Sequence, residues 1–235
     1  MSDRAAAADG PLVVDVRDVE VRFGAVVALP TTTLRARRGE SVALVGPSGS
    51  GKTTLLDCVA GLARPTAGEV WVWGERVDTL STSRRSDLRR TGFGLVSQGP
   101  DLLPELSVAE NVALTLLFDG LPRAAALEAA HAMLAELGLP DAGGRRPQEL
   151  SGGEQQRVAV ARALVLSGPG GAESRIVVAD EPTASLDRAN ADLVMDALLG
   201  LAGRRGATLL VATHDLAVAG RCDRVVELRA GALVP

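Results

Sequence analysis

Gly46-Pro47-Ser48-Gly49-Ser50-Gly51-Lys52-Thr53 is a complete G-x-x-x-x-G-K-[ST] run. Val42-Ala43-Leu44-Val45 precedes it as a short buried strand, and residues 53–62 follow with a helical pattern. A strand that turns through glycines into a helix makes a phosphate cradle: backbone N–H groups point inward and the helix offers its positive end. Lys52 is placed to bridge the β- and γ-phosphates of a nucleotide, Thr53 to put its hydroxyl on Mg²⁺, and Thr54 continues the loop. Lys52 is also the one lysine in the chain, all other cationic side chains being arginine. A compact ammonium on a flexible stem fits such a cradle, where a planar guanidinium is too bulky and directional.

The 235 residues suffice for one large α/β domain with a substantial core. A net charge of -4 gives no support for nucleic acid as a partner. Arg84-Arg85 and Arg89-Arg90 read as solvated helix surface. No apolar run reaches the roughly 18 residues needed to span a bilayer. The first ten residues lack the apolar stretch of a signal peptide, so a cytoplasmic location is expected. Cys58 and Cys222 fit no metal spacing and read as reduced thiols.

Outward from the loop, residues 12–23 alternate apolar and charged, with a slip near Asp18, and read as a half-exposed strand. Residues 69–73 alternate again, which predicts Trp71 and Trp73 on one strand face. Helical patterning dominates 81–166, with helices expected over 107–117 and 123–137. Buried strands are expected at 176–179 and 208–212, a helix at 188–202 between them, and a closing strand at 224–228. The 167–174 stretch, rich in Gly and Pro, reads as a surface loop. This order predicts one nucleotide-binding α/β domain over 1–235, with a flexible N-terminus at 1–11 and an inserted helical subdomain over about 99–166.

Ile176-Val177-Val178-Ala179-Asp180-Glu181 is a buried strand ending in two carboxylates. Adjacent acids there need a cation or a substrate. Asp180 is placed to hold Mg²⁺ through water, and Glu181 to orient or deprotonate an attacking water.

Leu150-Ser151-Gly152-Gly153-Glu154-Gln155-Gln156-Arg157 closely resembles the signature motif of the ATP-binding-cassette ATPases. Ser-Gly-Gly at a helix start is a second anion site. In that family the loop covers the ATP held by a second subunit, which carries over here to Ser151, Gly152 and Gly153. The other family marks follow in order. Phe23 matches the aromatic that stacks on adenine, with core packing as its rival. Gln98 resembles the glutamine that contacts Mg²⁺ and water and links to a membrane partner. Ser185-Leu186-Asp187 resembles the loop that crosses the dimer interface, and His214 the switch histidine that contacts the γ-phosphate. His131 reads as plain surface.

The resemblance runs from about residue 12 to 233. It implies a P-loop core with a mixed sheet, an N-terminal antiparallel β subdomain and an inserted helical subdomain. It implies ATP hydrolysis with Mg²⁺, a homodimer closed on two ATP molecules, and docking on a separate integral membrane permease from the inner face of the membrane. The stretch Gln98-Gly99-Pro100-Asp101-Leu102-Leu103-Pro104-Glu105-Leu106-Ser107-Val108-Ala109-Glu110-Asn111-Val112 resembles the permease-facing segment of the lipoprotein-releasing, macrolide-exporting and cell-division subgroup, and Ser86-Asp87-Leu88-Arg89-Arg90 fits the same subgroup. That implies export or mechanical extraction of lipoprotein, peptide or drug-like cargo. The alternative is a cassette ATPase of translation or DNA repair, and such relatives carry tandem cassettes or coiled-coil insertions. With the sequence ending at Pro235, the C-terminal regulatory domain of many sugar importers is not expected, which disfavours sugar import, and the 168–174 stretch is longer than usual for the family.

Overall fold

Four strands whose ends carry the motifs lie side by side. β3 (Ser41–Val45), β6 (Phe93–Val96), β7 (Ile176–Asp180) and β8 (Thr208–Thr213) belong to one six-stranded sheet, ordered β10-β9-β3-β8-β7-β6. All its pairings are parallel except that of β9 (Arg224–Arg229) with β10 (Ala232–Val234), which is antiparallel. The computed structural model describes residues 10–165, 175–229 and 232–234. The 167–174 loop and nearly all of the expected N-terminal tail lie outside the described residues.

Both faces of the parallel sheet are buried, so its strands read as continuous apolar runs. Val42, Leu44, Ile176, Val178, Leu210 and Ala212 point to one side. There they meet α1 (Lys52–Val59) and a second sheet, antiparallel and ordered β2-β1-β4-β5. Ala43, Val45, Val177, Ala179, Leu209 and Val211 point to the other side. They pack on α5 (Gly152–Leu164) and α6 (Arg188–Arg204), and the same apolar cluster runs on through α5 into α3 (Val108–Phe118) and α4 (Arg123–Glu136). The expected α/β architecture, a mixed sheet with an antiparallel β layer and a block of helices, is what the chain forms.

β1 (Leu12–Phe23) has the expected bounds. Its slip is real: Asp18 takes φ 48, and the register with its neighbours shifts between Val16 and Val19. β2 (Val26–Arg37) was not anticipated. Its inward residues include Thr32 and Ala36 and its run contains Pro30, so its alternation is faint; as the edge of the sheet it tolerates the proline. β10 is likewise an extra strand after the expected closing one.

The two tryptophans do not share a face. β4 (Ala67–Val72) ends before Trp73, whose φ of 49 turns its ring inward. Trp73 packs on Phe93 with ring centroids 5.4 Å apart, while Trp71 donates to Glu69 Oε2 at 2.9 Å and lies under the Arg17 guanidinium. The arginines of α2 (Thr82–Gly92) are also not uniformly solvated. Arg84 and Arg90 pair with Glu75 and Asp119. Arg85 and Arg89 both donate to the Gly61 carbonyl at the end of the α1 segment. Cys58 and Cys222 are buried free thiols, and burial pushes them up to about 12 and about 11. No helix among the described residues is long and apolar enough to cross a membrane.

Candidate active site

The glycine loop leaves β3 at Val45 and enters α1 at Lys52. Gly46 passes so close to β9 that a Cβ on it would lie 2.4 Å from the Leu228 carbonyl oxygen. Gly51 holds φ 96 just before the helix, where an added Cβ would meet the Ala28 carbonyl at 2.8 Å. No side chain caps the N-terminus of α1, so its first amides stay available to an anion. Lys52 is only 7% exposed and folds back over the loop. Its Nζ donates to the Gly46 and Pro47 carbonyls at 2.8 and 3.2 Å. Pro47, Ser48 and Gly49 are exposed, and the Ser50 hydroxyl is buried without a partner among the described residues.

Two strands away, β7 ends at Asp180, whose Oδ2 accepts from Thr53 Oγ1 at 2.7 Å. Asp180 Oδ1 is buried with no hydrogen-bond partner among the described residues. A hydroxyl and a carboxylate with a spare buried lone pair are hard oxygen donors. They suit Mg²⁺, which takes one or two carboxylates and leaves the rest of its shell to phosphate and water. Thus the residues present fit that ion.

Glu181 leaves the strand with φ 47, a left-handed conformation uncommon for a residue with a Cβ, and its N–H donates to the Ala212 carbonyl at 2.9 Å. Held strain of this kind concentrates at functional sites. It turns the carboxylate toward His214, which follows β8, and Glu181 Oε2 lies 2.9 Å from His214 Nδ1. A cleft of about 210 Å³ opens here, lined in part by Thr183, Leu186, Thr213 and Asp215.

A second cleft, of about 280 Å³, runs from Val26, Val27 and Ala28 past Gly49 and Gly51 to Lys52, Thr53 and Thr54. Phe23 pairs with Val26 across the β1–β2 turn and is 66% exposed, so core packing is not its role. Gln98 is exposed beyond the end of β6, and no hydrogen bond joins it to Asp180, Glu181 or His214. Gln156, by contrast, is a buried side chain that donates to the Ser97 carbonyl at 2.9 Å and so ties α5 to the Gln98 segment. Nothing in the local sequence distinguished it from its neighbour Gln155.

Ser151 caps α5. Its hydroxyl and N–H both bond Glu154 Oε2, at 2.7 and 2.8 Å, and these bonds hold the Glu154 carboxyl below its usual range. Asp187 caps α6 and is held low by bonds from Asn190. Ser151, Gly152 and Asp187 are exposed. Within one chain the glycine loop, Asp180, Glu181 and His214 therefore gather at the C-terminal edge of the parallel sheet, the usual ligand edge of such folds.

A phosphate cradle beside an acid pair and a histidine defines a nucleoside-triphosphatase site. The ABC transporter family profile matches residues 29–184. The chain is 47% identical over 206 residues to the "Lipoprotein-releasing system ATP-binding protein LolD" of Nitrobacter winogradskyi, covering 88% of this chain and 86% of that one. It is 41% identical to the "Macrolide export ATP-binding/permease protein MacB" of Nitrosomonas europaea, over 96% of this chain and 34% of that longer protein. Its backbone matches a dimeric ATP-binding cassette, MJ0796, solved in a post-hydrolysis state bound to ADP and Pi, with a TM-score of 0.83 and 33% identity over 94% and 97% of the two chains. The chain belongs to the ABC transporter family and is an ATP-hydrolysing cassette of it.

Proposed function

We propose that the chain works as a pair of identical subunits that close on two ATP molecules and drive a separate membrane permease. Lipoprotein extraction is the favoured cargo class, peptide or drug export the neighbouring one. The 2.9 Å Glu181–His214 contact, beside the Thr53–Asp180 pair and the lysine cradle, carries the catalytic part. Names such as lipoprotein-releasing ATP-binding protein and macrolide export ATP-binding/permease protein carry the transport part. A chain paired with a permease in this way would sit peripherally on the inner face of the membrane.

In this reading Lys52 exchanges two neutral carbonyl partners for phosphate oxygens, and the new charge-assisted bonds are the stronger. Gly46, Pro47, Ser48, Gly49, Ser50 and Gly51 wrap the phosphates with backbone amides, Thr54 extends that wrap, and Phe23 stacks on adenine. Thr53, Asp180 and, after closure, Gln98 hold Mg²⁺, which neutralises charge on the phosphates when bound. Glu181 accepts a proton from the attacking water. The water oxygen bonds the γ-phosphorus, the bond to the bridging oxygen breaks, and that electron pair leaves with ADP. His214 keeps Glu181 in place through Nδ1. With Nδ1–H donating to Glu181, Nε2 can donate to a phosphate oxygen only from the protonated ring. Ser151, Gly152, Gly153 and Asp187 complete the site across the interface.

Glu181→Gln tests this. It keeps the size of the side chain and removes the base. ATP binding should persist, turnover should fall about 10²–10⁴-fold, and a stable ATP-bound dimer should appear by size-exclusion chromatography. An unchanged hydrolysis rate would remove Glu181 from the mechanism.

A further inference from the structure

Two loops assigned to the subunit interface touch each other within a single chain, and one side chain joins them. Asp187 caps α6 by accepting from the Asn190 N–H at 2.9 Å on Oδ1. Its other oxygen, Oδ2, accepts from Asn190 Nδ2 at 2.8 Å. Both carboxylate oxygens are thus held by one residue a single turn into the helix. The other end of the Asn190 amide lies against the signature loop. A Cβ on Gly153 would stand 2.3 Å from Asn190 Oδ1 and 2.6 Å from its Cγ. The contact continues beside it, where a Cβ on Gly152 would meet Leu186 Cδ2 at 3.9 Å.

Only glycine at 153 lets the amide come this close. Glycine early in a helix costs stability relative to alanine, so the position needs a packing reason, and Asn190 provides one. A shift of the signature loop therefore presses on the amide, and the amide is bonded to Asp187.

We infer that Asn190 is a positioning residue: it clasps Asp187 to Gly153 so that the signature loop and the 185–187 loop meet the second subunit as one rigid surface. The inference rests on the ATP-closed pair described above. It adds that the two loops of one chain cannot engage separately. Asn190 itself is half-buried and is given no contact with ATP.

Asn190→Asp is the first variant. It keeps the shape against Gly153, removes the Nδ2 donor and sets a second carboxylate against Asp187. With Mg-ATP as the probe, kcat should fall about tenfold while KM stays within about twofold, the loss of one charge-assisted hydrogen bond at the step after binding. The dimer trapped by Glu181→Gln should weaken when Asn190→Asp is added. The decisive comparison changes residue 190 alone: Asn190→Ser keeps a donor toward Asp187 and adds no carboxylate, and urea unfolding midpoints are read beside kcat. A lower kcat in Asn190→Asp at an unchanged urea midpoint, recovered in part by Asn190→Ser, supports the clasp. A wild-type kcat in Asn190→Asp, or a kcat that simply follows the urea midpoint in both variants, overturns it. If wild type hydrolyses ATP and Glu181→Gln still traps a dimer, that failure belongs to the clasp alone.

Discussion

Asp57 sits on α1, and burial first and the neighbouring Asp180 charge second raise its pKa. The native state thus holds this proton more tightly than the unfolded chain does. Stability from the protonated form is fully present below the unfolded-state pKa and is lost as pH rises through the higher folded value. Asp57→Asn has no proton to lose, so it should unfold at higher urea than wild type at neutral pH. The gap should close as pH falls below the usual aspartate range. Urea midpoints across that window check this, and a gap that ignores pH would assign the effect to something other than the Asp57 charge. At this scale the motif residues were legible because each motif is contiguous and its chemistry is local. The pairings were not. Thr53 meets Asp180 across 127 positions and His214 meets Glu181 across 33, and only the parallel order of β3, β8 and β7 brings them together. The Asn190 clasp was invisible for the same reason: it needs the packing of α5 on α6.

Among the elements, the segment after β6 shows how a loop is fixed without regular structure. Asn111, on α3, is fully buried. Its Oδ1 accepts from the Leu103 N–H at 2.7 Å, and its Nδ2 donates to the carbonyls of Leu103, Leu106 and Ser107. The loop is closed further by Arg146, which donates to the Glu105 carbonyl, and by the capping box of Ser107 and Glu110. This holds Leu103 exposed while Leu102 packs inward, the form expected of a stretch that presents apolar surface to a partner. Asn111→Leu keeps the volume and strands the loop's polar groups. It should cost about 1–3 kcal/mol of unfolding free energy. It should also reduce stimulation of ATP turnover by native membranes while sparing the unstimulated rate. Equal loss of both rates would mean that the loop serves the catalytic site rather than a partner. Strands rich in valine were readable at this scale. β2 was not, because threonine and alanine carry much of its inward face and its partner strand decides its register.

The whole molecule is two sheets around α1 with helices on the far face, and its geometry divides the site in a particular way. Lys52, Thr53, Asp180, Glu181 and His214 converge within one chain, whereas Ser151 and Asp187 stay exposed on the α5 and α6 caps, bonded among the described residues to Glu154 and Asn190 of those same caps. If Ser151 serves the ATP of a second copy, the two half-sites can be supplied by different defective chains. Lys52→Ala removes the cradle and leaves the signature loop; Ser151→Arg blocks the signature loop and leaves the cradle. Each should be nearly inactive alone. In a mixed pair, one site joins two defects and the other joins the intact cradle of one chain to the intact signature loop of its partner. Random pairing at equal concentrations makes half of the dimers mixed, so up to about a quarter of wild-type sites should return. Steady-state phosphate release from the two proteins, measured separately and after mixing, decides the point. Activity that returns only on mixing requires a head-to-tail pair. A mixture no better than the sum of its parts would mean that each chain completes its own site, and Ser151 would then need a partner within its own fold that its bond to Glu154 does not supply.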